Sequence, residues 1–191
     1  AKPSNKTVLI IGAGPSGMSA AYHLTRLGHK VTIYEAGPVA GGMMSFGIPA
    51  YRLPRNIIEA EVKRILDMGI ELKLNHKVDD IQYEMKTGNF DACFIAIGAH
   101  LAKRINIPTP DTSKILDAAG VLREMETGKN PPKLGRRVVI YGGGDTAVDV
   151  ARTAKRLGAE ETIIVYRSGR EKMKAHDFEV KEALEEGVIL N

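Results

Sequence analysis

Hydrophobic positions along this chain fall into short continuous runs that alternate with helical stripes. The run Val8-Leu9-Ile10-Ile11 has the length of a buried strand and stops at Gly12. Ala20, Leu24 and Leu27 then recur at helical spacing as far as Gly28, and Lys30 to Tyr34 returns to a strand. Pro54 opens a helix at its first turn, which Ile57, Ile58, Val62, Ile65 and Leu66 carry and Gly69 ends. Ile70 to Leu74 alternates as a half-buried strand. Thr87-Gly88-Asn89 is a turn, and Phe90 to Ile97 is an apolar strand that stops at Gly98. Pro108 and Pro110 break the pattern, a short helix follows around Ile115 to Met125, and Thr127 to Pro132 is rich in turn residues. Arg137 to Tyr141 then reads as a strand, Gly142 to Ala147 leads into a helix through Leu157, Gly158 ends it, and Thr162 to Tyr166 is the next strand. Glu179, Lys181, Glu182, Glu185 and Glu186 mark the exposed face of a last helix, before Gly187 to Leu190 begins another strand. Strands alternating with helices predict an α/β fold of parallel sheets with helices on their faces.

The first strand–helix junction reads Gly12-Ala13-Gly14-Pro15-Ser16-Gly17, a G-x-G-x-x-G spacing. Gly12 permits the tight turn, Gly14 lets a pyrophosphate touch backbone, and Gly17 lets the helix press on the strand. The helix N-terminus adds free N–H groups and about half a positive charge. Glu35 ends the second strand, where a carboxylate accepts hydrogen bonds from ribose hydroxyls. The whole junction recurs at Gly142, Gly144 and Ala147, an accepted variant ending in alanine.

The two second strands end differently. The charge of Glu35 repels a ribose 2′-phosphate and suits free hydroxyls. Tyr166-Arg167 places no acid there, and Arg170, Lys172 and Lys174 follow. An arginine binds a 2′-phosphate through charge-assisted hydrogen bonds, so the second unit is expected to prefer NADPH to NADH. For Lys172, solvated surface charge is the simpler reading. Two dinucleotide sites in one chain suggest a relay from nicotinamide to flavin and onward, in which the cofactors carry the chemistry. No catalytic triad, paired acids or metal-ligand cluster stands out in the sequence, and a relay needs none.

Composition narrows the class further. The 191 residues leave room for one large or two small domains, and 43% hydrophobic with 26% charged residues is ordinary for a globular protein. The net charge of +4 comes from Lys and Arg interleaved with Asp and Glu, which argues against a nucleic-acid footprint. No apolar stretch reaches the length of a membrane span, and the N-terminal run is too short for a signal peptide. The single cysteine, Cys93, leaves no internal disulfide and fits a reducing cytoplasm. It sits in an apolar strand and reads as a buried core thiol. Without a C-x-x-C pair, a dithiol reductase is disfavoured. The glycine-rich stretch Ala36 to Pro49 reads as a long loop whose apolar residues cover something or serve a site.

The run Gly41-Gly42-Met43-Met44-Ser45-Phe46-Gly47-Ile48-Pro49-Ala50-Tyr51-Arg52-Leu53-Pro54 resembles the G-G-x-x-x-x-G-I-P-x-x-R-L-P signature of glutamate synthase small (β) subunits. Their relatives, the flavin arm of dihydropyrimidine dehydrogenase and the large subunit of NADH-dependent ferredoxin:NADP oxidoreductase, share it. Ala96-Ile97-Gly98-Ala99 resembles a second flavin marker of that group, and Gly142 to Ala147 with Val165-Tyr166-Arg167 resembles its NADPH motif. The resemblance covers nearly the whole chain and implies two Rossmann-like units of the pyridine nucleotide-disulfide oxidoreductase type. It implies FAD at Gly12, Gly14, Pro15, Ser16, Gly17, Glu35 and Ala36, with Gly41, Gly42, Met43 and Arg52 on the flavin side, Val78 near the adenine, and Gly98 beyond the last strand. It implies NADPH at Gly142, Gly143, Gly144, Asp145, Thr146, Arg167, Ser168 and Lys174.

The same resemblance implies a layout: residues 1–6 a tail or linker, 7–100 the N-terminal part of an FAD domain, 101–134 a connector, and 135–191 an incomplete NAD(P)H domain. The family's cysteine-rich iron–sulfur domain is missing here, and so is the downstream Gly-Asp marker that contacts FAD. The chain is therefore expected to be a fragment, with an iron–sulfur partner or domain as electron acceptor. Two rival functions remain: a ferredoxin:NADP reductase or electron-bifurcating subunit, and a non-catalytic nucleotide-binding scaffold of a redox complex. Several residues keep two readings. Met43 and Met44 touch the isoalloxazine ring or plug core gaps, and Asp145 caps the helix N-terminus or orients the nicotinamide. His23 and His100 lack partners at metal or general-base spacing and read as structural or solvent-facing, while His176 follows the basic loop, where it can face the nicotinamide nucleotide.

Overall fold

A computed structural model of the chain describes residues 1–99, 114–127 and 133–191. The chain divides into two compact units, Ala1–Ala99 and His100–Asn191. In the first, the run that opens the sequence forms β1 (Thr7–Ile11), with Leu9 and Ile10 fully buried. It is buried on both faces because it lies inside a parallel sheet. On one side β1 pairs with β2 (Lys30–Tyr34), Leu9 opposite Thr32; on the other it pairs with β4 (Ala92–Ile95), Leu9 opposite Cys93. β3 (Glu71–Lys73) adds to β2, so the order is β3-β2-β1-β4. The order reverses beside β1, and such a reversal leaves a crevice at the carboxyl ends of the strands.

Side chains of a strand alternate between faces, and β1 feeds two cores. Ile10 packs with Val31, Ile33, Ile70, Met18 and Ala21, against Leu24 of α1 (Pro15–Arg26) and Val62 and Ile65 of α3 (Arg55–Leu66). Leu9 and Ile11 pack with Tyr34, Val78, Phe90 and Cys93 on the opposite face, where α4 (Ile81–Thr87) supplies Met85.

Several expectations need correction. Helix α4 is absent from the sequence reading because seven residues give too short a stripe; it is set by the Asp80 side chain, which accepts the Tyr83 amide at 3.0 Å. The stretch read as a plain loop contains one helical turn, α2 (Met43–Phe46). Pro54 is the cap residue before α3, one position outside its first turn. Cys93 is only half-buried, since β4 has β1 on one side and, among the described residues, no second strand on the other. That burial still pushes its thiol upward from the ordinary value.

The second unit repeats the device. β5 (Arg137–Tyr141), β6 (Glu161–Val165) and β7 (Ile189–Leu190) run parallel in the order β5-β6-β7. One core joins Leu122 of α5 (Ala118–Thr127), Ile140, Ile164 and Val188 to Val148 and Ala151 of α6 (Asp145–Arg156) and Val180 and Ala183 of α7 (Asp177–Glu185). Helix α6 is buried at every position from Ala147 to Ala154, including Asp149 and Arg152. Glu179 is not on an exposed face: it is 3% exposed and accepts from Arg152 at 2.9 Å. Periodicity assigns a glutamate to solvent, whereas a buried guanidinium facing it reverses that. His100, Pro108, Pro110 and the turn residues Gly128 to Pro132 lie outside the described residues.

Asp91 ties the start of the chain to β4. It accepts the Lys6 ammonium and the Thr7 amide, each at 2.8 Å. The Lys6 hydrogen bond, then the Thr7 amide, lower its carboxyl from 3.8 to about 2. A carboxyl lowered in the folded state contributes stability that is present above its unfolded value and lost as pH falls through its folded one. Melting temperature is therefore expected to fall between about pH 4 and pH 2, and Asp91→Asn to flatten that segment of the curve, as measured by circular dichroism melts.

Candidate functional site

The first glycine turn is built by close approach. Gly12 has φ +104°, and a Cβ there would lie 2.4 Å from the Ala96 carbonyl oxygen just beyond β4. A side chain at Gly17 would lie 1.9 Å from the Gly12 carbonyl oxygen, so α1 rests directly on the turn. Gly14 differs: it precedes α1 as the cap residue, and a Cβ there would meet nothing nearer than the Gly42 Cα at 3.8 Å. Among the described residues no side chain caps α1, and no acid lies in its first turn, so its positive end is available to an anion. Pro15 and Ser16, its first two residues, are exposed.

Glu35 closes this turn from the end of β2. Its Oε2 accepts the Ala13 amide and its Oε1 the Gly37 amide, both at 2.7 Å. Each oxygen keeps a lone pair beyond the one so used, so the carboxylate is fixed in place and can still accept hydroxyl protons. Ala13 also fixes the following loop, because its carbonyl accepts the Gly41 amide at 2.8 Å. Gly42 then passes so close that a Cβ would lie 2.8 Å from the Gly14 Cα.

Arg55 holds the rest of that loop. Its guanidinium donates to the carbonyls of Met44, Leu53 and Ile48, at 3.1, 3.0 and 2.6 Å. The sequence reading passed over Arg55, and its only signal is its place directly after the Arg52-Leu53-Pro54 run. Met43 is 43% exposed on this loop, and Arg52 is half-buried there. The structure thus brings Gly12 to Gly17, Glu35, Gly41 and Gly42 around Ala13. Ala36, exposed, follows Glu35, and Gly98, with φ +70°, follows β4. Val78 packs against Leu9, Ile11 and Tyr34, while the neighbouring His76 amide donates to the Glu35 carbonyl at 2.9 Å.

The second turn has another arrangement. A Cβ at Gly144 would meet no atom of the described residues within 4 Å, whereas one at Gly143 would lie 2.5 Å from the Tyr166 ring. Gly143 is therefore small to admit that tyrosine, and Gly144 leaves open space where an anion can approach backbone. Gly142 bridges to β6 by donating its amide to the Val165 carbonyl at 3.1 Å. Gly144, not Asp145, is the cap residue of α6. Asp145 is the first helical residue, and it accepts the His176 amide at 3.0 Å with the His176 ring 3.1 Å away. The Lys174 and Ala175 amides both donate to the Gly143 carbonyl, at 2.8 and 3.0 Å. Residues 174–176 thus form a wall against the turn. No local pattern could have paired Asp145 with a histidine 31 positions away.

Charge sets the two turns apart. Arg136, Arg137, Arg152 and Arg156 of the second unit each hold a carboxylate. Arg167, Arg170 and Lys174 are exposed and carry no ion pair among the described residues; Ser168 is half-buried and Thr146 exposed. Among the described residues no three His, Cys, Asp or Glu groups gather as a metal site, and no helix is long and apolar enough to cross a membrane.

Residues 6–190 match the family described as pyridine nucleotide-disulphide oxidoreductase. The chain is 44% identical over 189 residues to the beta subunit of an NADP(+)-dependent formate dehydrogenase from Moorella thermoacetica, covering 97% of this chain and 27% of that protein. It is 37% identical over 198 residues to the small chain of glutamate synthase [NADPH] from Escherichia coli K12, covering 98% and 42%. The resemblance drawn from the Gly41 to Pro54 signature is borne out by these relatives. The solved structure of Mycobacterium tuberculosis FprA in complex with NADPH shares the fold at TM-score 0.78 and 22% identity, over 96% of this chain and 48% of that one. The chain spans between about a quarter and two fifths of the length of these two curated relatives.

Two glycine substitutions separate packing from ligand approach. Gly17→Ala is expected to cost about 3 kcal/mol in denaturant unfolding, because the methyl meets backbone that cannot move away. Gly144→Ala is expected to stay within about 1 kcal/mol of wild type, since only the cap preference changes, and to weaken nucleotide binding in calorimetric titration.

Proposed function

The chain belongs to the pyridine nucleotide-disulphide oxidoreductase family, and we infer that its first turn holds FAD and its second NADPH. So loaded, the protein would serve transfer of electrons from NADPH by way of the flavin to an iron–sulfur partner or domain. The observation that carries this reading is the opposite charge at the two strand ends. A carboxylate fixed by the Ala13 and Gly37 amides stands at the first, and Arg167 and Arg170, exposed and without an ion pair among the described residues, stand at the second. The relatives named for NADP(+) and NADPH support the choice of nucleotide.

The open backbone at Gly14 and Gly144 fits a pyrophosphate in each unit, because that is where a Cβ would stand in its way. When bound, the flavin accepts a hydride and can release electrons singly or in pairs. The residues of this chain bind and orient. The uncapped N-terminus of α1 takes the first pyrophosphate, Glu35 accepts the ribose hydroxyls, and the Arg55-held loop presents Met43 and Arg52 to the ring system. In the second unit Gly144 and Thr146 at the start of α6 take the pyrophosphate. Arg167, with Ser168 and Arg170, takes the 2′-phosphate, and Lys174 stands in the adjoining wall. The chain's one cysteine offers no dithiol, so the disulphide chemistry in the family's name has no counterpart in this stretch.

Purified protein supplied with FAD is expected to show flavin absorbance that bleaches with NADPH under anaerobic conditions. Colourless protein indifferent to both would favour a scaffold. Arg167→Ala is expected to lower the preference for NADPH over NADH by roughly tenfold or more, the scale of a lost charge-assisted hydrogen bond. The measurement is the ratio of bleaching rates with the two nucleotides. An unchanged ratio would remove Arg167 from the site.

A further inference from the structure

The second unit holds an ion cluster, buried at Arg152 and Glu179, that nucleotide recognition leaves unexplained. The Arg152 side chain is 5% exposed, and its guanidinium faces Glu179 at 2.9 Å, Glu182 at 2.8 Å and Glu186 at 2.8 Å. Arg156, one turn further along α6, adds a contact to Glu186 at 2.6 Å. Burying a guanidinium and a carboxylate is costly unless their geometry is close to ideal. Apolar residues of the same volume would join two helices as well, so the pair brings orientation more than affinity between helices.

What it orients lies within a few bonds. Glu179 sits in the first turn of α7, and its amide donates to the His176 carbonyl at 3.0 Å. The His176 amide donates to Asp145 at 3.0 Å, and the two residues before it donate to Gly143. A continuous path therefore runs from Arg152 through Glu179 to the wall of the second turn. We propose that Arg152 is a positioning residue for the nucleotide: through Glu179 it sets the start of α7, and so holds Lys174 and His176 against the Gly143–Asp145 turn. This rests on the assignment of a nucleotide to that turn.

The path predicts a local effect that loss of stability alone does not produce. In the full chain, Arg152→Met is expected to raise hydrogen exchange at the Ala175 and His176 amides. It is also expected to weaken NADP(+) binding by about tenfold, as small misplacements in a binding site do. Arg152→Lys keeps a cation beside Glu179 and is expected to restore much of both. Glu179→Gln, which keeps the volume and an acceptor, is the gentler probe if Arg152→Met does not fold, and is expected to loosen the same amides. Ile164→Val thins the core of the same unit and is expected to lower the melting temperature while leaving those amides and NADP(+) affinity unchanged. Unaltered exchange at Ala175 and His176 in both Arg152→Met and Glu179→Gln would overturn the proposal, as would an equal rise in Ile164→Val. Because exchange is read without nucleotide, wild-type protein that fails to bind NADP(+) would refute the nucleotide assignment separately, and the exchange data would still decide whether Arg152 positions the wall.

Discussion

Helix α1 can rest on β1 as closely as it does only because Gly17 has no side chain to strike the Gly12 carbonyl. Most of the first unit's site follows from that approach. It aims the uncapped end of the helix at the crevice where the strand order reverses. It turns the Ala13 amide toward Glu35 and the Ala13 carbonyl toward Gly41. One residue thereby fixes both the carboxylate and the loop that folds over the turn. A larger residue at position 17 would lift the helix and loosen all three together.

The second unit builds its turn differently, around Gly143 and Tyr166, and to a different electrostatic end. Hydroxyl recognition is directional, so a carboxylate must be held still to accept two of them well. Glu35 is held by two backbone amides, whose positions the turn already dictates. Recognition of a phosphate dianion is dominated by charge and tolerates a mobile donor. Arg167 and Arg170 stand exposed, although Arg136 and Arg152 of the same unit have carboxylates within reach. Ordering such a side chain on binding costs on the order of 1.5–2 kcal/mol of rotamer freedom, less than a charge-assisted pair with phosphate returns. A neighbouring acid would cancel the advantage, and none pairs with either arginine among the described residues.

Strong periodicity and glycine punctuation made β1, α1, β2, β5 and α6 legible before any coordinates, with ends correct to within a residue or two. What escaped was decided by contacts across the chain. Helix α4 depends on one capping aspartate and on a face shared with Tyr34 and Phe90. Glu179 looks like any surface glutamate until Arg152, 27 residues away, is seen beside it. Asp145 occupies a position where acids commonly cap, yet it serves the histidine that precedes α7. Arg55 reads as an ordinary first-turn arginine, and only the fold shows three loop carbonyls converging on it. In each case local pattern reports how apolar a position is, while its partner comes from topology.

Where titration is shifted also bears on what kind of site this is. Acid–base catalysts announce themselves by ionisable groups displaced from their ordinary values inside a cleft. Two carboxylates with clear displacements, Asp91 and Glu186, lie away from both turns. Asp91 is lowered by Lys6 and Thr7 where β1 begins, far along the strand from the turn at its other end. Burial alone would raise Glu186, but hydrogen bonds from Arg156 and Arg152 outweigh it and leave the carboxyl below its ordinary value. Both shifts belong to ion pairs that tie chain segments together. The two turns themselves offer backbone amides and absent side chains, with a fixed carboxylate at the first and exposed arginines beside the Asp145–His176 pair at the second. Such a surface has much to contribute to holding a ring system still, which is the demand that cofactor-borne redox chemistry makes of a protein.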